Sequence, residues 1–250
     1  FETVGNSKIV MMGIFNDISK IPKVGPIGEA EKPFLNTVNG SNYNYITSGI
    51  NAALNGYVSD YAIPVLNCML TEKCFEKAEN GYFTNPAKLT TAFDELKIRT
   101  YGSLYFLFDY KKEDQPRRLG DALANSINIY FSKTYTTVYN YDKATNRYLK
   151  CNTKKQPVVD LADGRQLSAD NVFVLFLDIA TYENPWGYGM SGGKGLYFSE
   201  GQVLSISWVK GDNRKNFRIY DLSGTEIKIN PGKNFVHFVP NSERNRTTYK

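Results

Sequence analysis

The chain has 250 residues, enough for one large domain or two ordinary ones, and 42% of them are apolar, so a core can form without disulfide staples. The net charge of +5 is spread over short clusters at Lys111-Lys112, Arg117-Arg118 and Lys154-Lys155, with no basic stripe or module, so no nucleic-acid partner is expected. No apolar run reaches the roughly 18 residues a membrane span needs.

In chain order, Lys8 to Phe15 (KIVMMGIF) reads as a buried strand and Lys20 to Pro33 as a Pro/Gly-rich loop. Tyr43 to Thr47 is a short strand, and Ser48 to Asn55 is a helix candidate bracketed by Gly49 and Gly56. Thr71 to Glu79 (TEKCFEKAE) is rich in helix formers, with Thr71 as its cap. Asn85 caps a further helix with Pro86 in its first position; Leu89, Ala92, Phe93 and Leu96 share its apolar face. Leu104 to Phe108 is another short buried strand. The polar stretch from Lys111 to Gly120 (KKEDQPRRLG) has the composition of a linker.

Beyond it the period changes to two. Asn128 to Phe131, Tyr135 to Tyr141 and Tyr148 to Asn152 read as strands, the last two joined by a hairpin turn with Asp142 and Asn146. Asn171 to Ile179 is a fully apolar, central strand. Gly195 to Phe198 and Val203 to Val209 pair across a tight turn at Glu200-Gly201. Asn216 to Tyr220 and Glu226 to Ile229 pair across Asp221 to Gly224, and Asn234 to Val239 closes the series. The fold class is therefore α+β: an α/β N-terminal domain over 1–112, a mainly antiparallel β domain over 119–242, and a frayed polar tail over 243–250. The 18 Tyr and 15 Phe suit half-buried strands, the sharper alternative being a sugar-stacking or partner-binding surface.

Cys68 and Cys74 are six residues apart, about 240° round a helix. On one helix they face apart; across a loop a small disulfide is within reach. With one histidine in the chain and no Cys-x-x-Cys, no metal is expected, and no cofactor either. The chain opens at Phe1-Glu2-Thr3 without Met or a charged leader, as a processed chain does, so the missing targeting signal does not argue for a cytoplasmic home.

Five blocks resemble, in the same order, the C-terminal domain of the YerB-like bacterial lipoproteins, a family of unknown function. They are YNYDKATNRYLK (139–150), LSADNVFVLF (167–176), GGKGLYFSEGQVLSISWVK (192–210), FRIYDLSGTEIKINPG (217–232) and FVHFVP (235–240). The segment from Ile14 to Phe34 is similar to a motif of the family's N-terminal domain: Gly25, Pro26 and Ala30 match, but the two family arginines fall on Gly28 and Glu31 and the serine on Glu29. A second motif falls on ITSGIN, with Thr47 in a histidine's place, Gly49 kept and Asn51 in a serine's place. A third covers Glu79 to Thr84, where its histidine becomes Asn80 and its asparagine becomes Gly81. Convergent arginines and histidines would bind an anion or shuttle a proton, and these positions cannot. The resemblance implies an extracytoplasmic protein of a Gram-positive-type bacterium, membrane-associated through a lipid anchor outside this segment. It also implies that the family's first strand lies upstream of Phe1.

Among other candidates, His237 reads as a structural histidine, since no Ser or Cys partner is suggested. GMSGGKG (189–195) lacks the spacing of a phosphate loop and reads as a turn before a strand. Asp160, Asp163, Asp170 and Asp178 are scattered, with Asp163-Gly164 a turn. Tyr182, Trp186 and Tyr188 form an aromatic Pro/Gly loop and are the preferred contacts for a partner. No catalytic residue is assigned. The leading expectation is a non-catalytic module binding an envelope component or a protein; the alternative is an envelope-associated hydrolase acting on wall material.

Overall fold

The computed structural model describes residues 1–5, 8–39, 41, 43–68, 72–99, 107–120, 122–178, 190–210 and 216–250. It forms two compact units, one from residues 1–11, 106–212 and 216–250, the other from residues 12–105 and 213–215. The fold is mostly β, with a large mixed sheet and few helices. Among the described residues no helix is long and apolar enough to cross a membrane.

The first unit starts with β1 (Glu2–Gly5) and β2 (Lys8–Met11), an antiparallel pair. Only four of the eight residues from Lys8 to Phe15 are strand, and as a sheet edge they are half-buried or exposed.

The second unit holds α1 (Lys32–Val38), β3 (Tyr45–Thr47), α2 (Ala52–Asp60), β4 (Val65–Asn67), a 3-10 turn (Glu72–Cys74), β5 (Glu76–Ala78), β6 (Gly81–Phe83) and α3 (Pro86–Glu95). β3 and β4 pair in parallel, and β5 and β6 form a hairpin. The expected helix over Thr71 to Glu79 is absent between Glu72 and Glu79. The hairpin pairing overrides helix propensity there: Glu79 and Asn80 make the turn between Ala78 and Gly81, which pair across it, and Gly81 takes a positive φ of 126°. The helix expected over Ser48 to Asn55 starts later, because the Asn51 side chain accepts from Leu54 N at 3.1 Å and caps α2. At α3 the Asn85 side chain accepts from Lys88 N at 3.0 Å. Leu89 and Ala92 are buried beneath this helix, whereas Leu96, expected on the same face, is 49% exposed.

The first unit resumes with β7 (Ser126–Tyr130), β8 (Thr136–Asp142), β9 (Arg147–Cys151), β10 (Ser168–Ala169), β11 (Asn171–Leu177), β12 (Gly192–Ser199) and β13 (Gln202–Val209). It ends with β14 (Arg218–Tyr220), β15 (Glu226–Ile227), β16 (Asn234–Pro240) and β17 (Thr248–Tyr249). One sheet runs β15-β14-β13-β12-β11-β16-β1-β2, the other β10-β9-β8-β7-β17. The smaller sheet is antiparallel throughout. The larger is mixed, because β16 lies parallel to both β11 and β1. A common apolar core joins them, with Val172, Val174, Phe176, Phe198 and Phe235 from one sheet and Ile127, Ile129, Tyr139 and Tyr148 from the other. This is the face-to-face packing that period-two strands make when each has an apolar side.

β11 is buried along its whole length, as its unbroken apolar run implies. At the β12–β13 turn Glu200 and Gly201 both take positive φ, 53° and 72°, which matches the twist of the flanking strands. Gly192, Gly193 and Gly195 of GMSGGKG are not a turn before the strand but part of it. A Cβ on Gly193 would stand 2.5 Å from Phe176 O, and one on Gly195 2.7 Å from Val174 O. The linker-like stretch is strapped down: Lys111 N donates to Ile229 O at 2.8 Å, and Leu119 N to the Gln202 side chain at 2.9 Å. Leu107 and Phe108, expected in a strand, are buried but lie outside any strand; the Phe108 ring stacks 5.3 Å from Phe173. The tail is ordered, since β17 pairs with β7.

Candidate functional site

In the second unit the three motif segments come together through their backbones. Residues 24–30 form an extended ribbon. On one side Val24 N donates to Thr84 O at 2.9 Å and Ile27 N to Tyr82 O at 2.8 Å. On the other, Ser48 N donates to Gly28 O at 2.9 Å and Ala30 N to Gly49 O at 2.8 Å. The ribbon is thereby the shared neighbour of the Thr47–Asn51 loop and the β5–β6 hairpin. Gly25 permits the approach: a Cβ there would sit 2.4 Å from the Phe83 ring.

The side chains at the motif positions serve this scaffold. Thr47 is buried, and its hydroxyl hydrogen is shared between Gly28 O and Gly49 O, each at 2.9 Å. Asn51 is spent on capping α2. Glu31 sits at the start of α1 without a side-chain cap. Gly28 is exposed with nothing within 4 Å of where a Cβ would be, and Asn80 is exposed on the hairpin turn. Structure thus brings Gly28, Glu31, Thr47 and Asn51 into one loop cluster and sets Asn80 on the hairpin beside it. The result is a hydrogen-bonding surface with carboxylates and no imidazole. A shallow cavity of about 260 Å³ in the same unit is lined by Asn44, Pro64, Leu66, Ile98 and Arg99; ligand pockets are usually about 300 Å³ or more.

Tyr182, Trp186 and Tyr188 lie outside the described residues. Among the described residues no group of three or more His, Cys, Asp or Glu is placed to hold a metal.

The titratable cluster of the first unit is one that the sequence did not reveal. Glu2, Thr137, Tyr139, Lys150 and His237 all point into the core between the sheets, and all are buried. Period two explains this strand by strand. Glu2 shares a face with Val4, Tyr139 with Thr137, Lys150 with Tyr148, and His237 with Phe235 and Val239. Lys150 Nζ is ion-paired with Glu2 Oε2 and lies 5.0 Å from the Phe235 ring centroid. Thr137 Oγ1 donates to Glu2 Oε1 at 2.6 Å. Tyr139 OH is 3.0 Å from His237 Nε2, while His237 Nδ1 has no hydrogen bond and lies 3.8 Å from Glu2 Oε2.

Burial drives the His237 imidazole down to about 3, against the opposing pull of Glu2. It is therefore neutral at neutral pH; with Nδ1 protonated, Nε2 accepts from the Tyr139 hydroxyl. Burial works against ionised Glu2, but the charges of His237 and Lys150 and the hydrogen bonds from Lys150 and Thr137 outweigh it and hold the carboxyl below its ordinary value. Because His237 is uncharged at neutral pH, Lys150 is the partner that counts there. Burial, with Glu2 adding to it, lifts the Tyr139 phenol well above 10. The group is a closed ion pair with a neutral histidine beside it. At 0% exposure His237 meets no solvent, so this cluster belongs to stability.

Residues 127–236 match a family model described as "Protein of unknown function (DUF3048) C-terminal domain". Over 237 residues the chain is 23% identical to a Bacillus subtilis (strain 168) protein named "Putative lipoprotein YerB", covering 89% of this chain and 69% of that one. The crystal structure of the YerB protein from Bacillus subtilis superposes with a TM-score of 0.73 at 19% identity, over 91% of this chain and 77% of that one. At that identity the structural likeness is one of fold.

Proposed function

We propose that this chain, a YerB-like protein, is a non-catalytic, extracytoplasmic lipoprotein-type module that binds an envelope component or a protein partner. On this reading its helical unit is the counterpart of the family's N-terminal α/β module, and the chain is held at the membrane by a lipid anchor. The observation that carries the reading is the state of the motif cluster. Thr47 is locked by two carbonyls and Asn51 by a helix cap, which leaves a rigid, solvent-facing ribbon without a proton shuttle. A binding surface needs rigidity and shape; hydrolysis needs a positioned acid or base that reaches substrate. The lipoprotein name of the Bacillus subtilis relative supports the location.

Two surfaces are candidates for contact: the ribbon around Gly28 with Asn80, and the aromatic loop with Tyr182, Trp186 and Tyr188. The test is co-sedimentation of the full chain with purified peptidoglycan and, separately, with a delipidated envelope protein extract. Retention is expected in one arm without change to the captured material. It should weaken when Gly28→Trp or the Tyr182, Trp186 and Tyr188 triple alanine variant is used. Release of soluble wall fragments, abolished by replacing one acidic residue, would replace this reading with the hydrolase.

A further inference from the structure

We infer that Cys68 and Cys74 are a disulfide-forming pair that ties the second motif loop to the third. The inference rests on the extracytoplasmic reading only for where the bond would form; the geometry is independent of it. All three cysteines are buried. Their surroundings differ. Cys151 accepts hydrogen bonds from two amides, Asn140 Nδ2 at 3.8 Å and Gln166 Nε2 at 3.5 Å. Cys68 and Cys74 share one apolar cluster with Leu66, Phe75, Leu89 and Ala92, and their thiols are hydrogen-bonded to each other.

The chain path makes this pairing possible. Cys68 follows directly on β4, and Cys74 ends the 3-10 turn from Glu72. The turn is fastened to α3 by the ion pair from Lys73 Nζ to Glu95 Oε2 at 2.6 Å. The Phe75 ring packs 5.4 Å from that of Tyr82 in β6. A bond here would join β4, whose parallel partner β3 ends in Thr47, to the hairpin that carries Asn80 and grips the 24–27 ribbon. Both motif loops would then be covalently fixed in relation to each other.

The step is thiol–disulfide exchange with a low-molecular-weight disulfide. Two protein thiols and one external disulfide give one protein disulfide and two external thiols, with no net gain or loss of protons or electrons. The attacking species is the thiolate, and burial raises the pKa of both thiols. Exchange is therefore slow once the cluster has closed and fast while the chain is still folding, so the bond belongs to the folding phase.

The full chain is refolded from the denatured, reduced state with oxidised glutathione, then denatured and alkylated. The expected result is one alkylated cysteine, Cys151, in place of the three of the reduced protein, with a Cys68–Cys74 linked peptide in the non-reducing digest. Cys68→Ser should abolish the linked peptide. Three alkylated cysteines, glutathione adducts without an internal bond, or a bond to Cys151 would each overturn the pairing. Protease shaving of whole cells reports location separately, so a failure of the extracytoplasmic reading is distinguishable from a failure of the bond.

Discussion

Lowering the pH from 7 to 5 is expected to destabilise the β unit, and His237 alone contributes about 2 kcal/mol of that loss. His237 titrates near 6.5 in the unfolded chain, as an ordinary histidine does, and near 3 when folded. Between those values the unfolded ensemble binds a proton that the native state refuses. Stability is therefore full above about pH 6.5 and falls steadily as the pH drops towards 3. The chain contains one histidine, and the effect of Glu2, whose folded value is also lowered, begins only below 4.5. The buried Phe1 amine, lowered from 8.0 to about 5, loses stability in the same window and with the same sign, so the share of His237 is the difference between the wild type and a His237→Gln variant. The assay is urea unfolding at constant ionic strength, followed by the fluorescence of Trp208, which is buried in β13. His237→Gln should have lower stability at pH 7 and a loss from pH 7 to 5 that is smaller than the wild type's by about 2 kcal/mol. If that variant does not fold, the ring signal of isotope-labelled His237 in the native protein should stay in its neutral form down to pH 5. A flat wild-type profile, or a folded imidazole titrating near 6.5, would refute the reasoning.

Other outcomes follow from the same packing and hydrogen bonds. Lys150→Met alone should cost about 3–5 kcal/mol by leaving Glu2 charged in the core, and the Glu2→Gln/Lys150→Met double variant should recover much of it; urea titration decides. Gly193→Ala should lose about 1–3 kcal/mol because its Cβ would collide with a neighbouring strand, while Gly28→Arg, with open space around it, should stay within about 0.5 kcal/mol in thermal melts. Asn85→Ala should cost about 1 kcal/mol by removing the cap of α3, seen as an earlier loss of far-ultraviolet ellipticity.

Much of the β unit was legible because its signals are local. The alternation of β8, the unbroken apolar run of β11 and the Glu200-Gly201 turn each sit within a few residues. The stretch over β5 was misread as helix because Glu, Lys and Ala weigh towards helix one by one, while the turn at Glu79-Asn80 and the pairing with β6 settle it as a hairpin. The parallel neighbours of β16 were not legible, since parallel pairing leaves no turn to read. The buried cluster was hidden for a related reason. Lys150 and Glu2 are partners across 148 positions of chain, and each alone looks like a surface charge. The motif positions were located by resemblance; what they do was decided by Thr47 and Asn51, whose polar groups turn inward to the backbone.

The place of β16 also sets a schedule. It is hydrogen-bonded on one side to β11 and on the other to β1, so that Thr3 near the start of the chain bonds to Phe238 near its end, 235 positions later. As the chain leaves the ribosome, β1 has no parallel neighbour and the larger sheet has a gap until β16 is made. Such long-range closure is slow, so the larger sheet closes only once β16 has emerged. A chain with that order of assembly stays open, and therefore threadable, for as long as β16 is withheld.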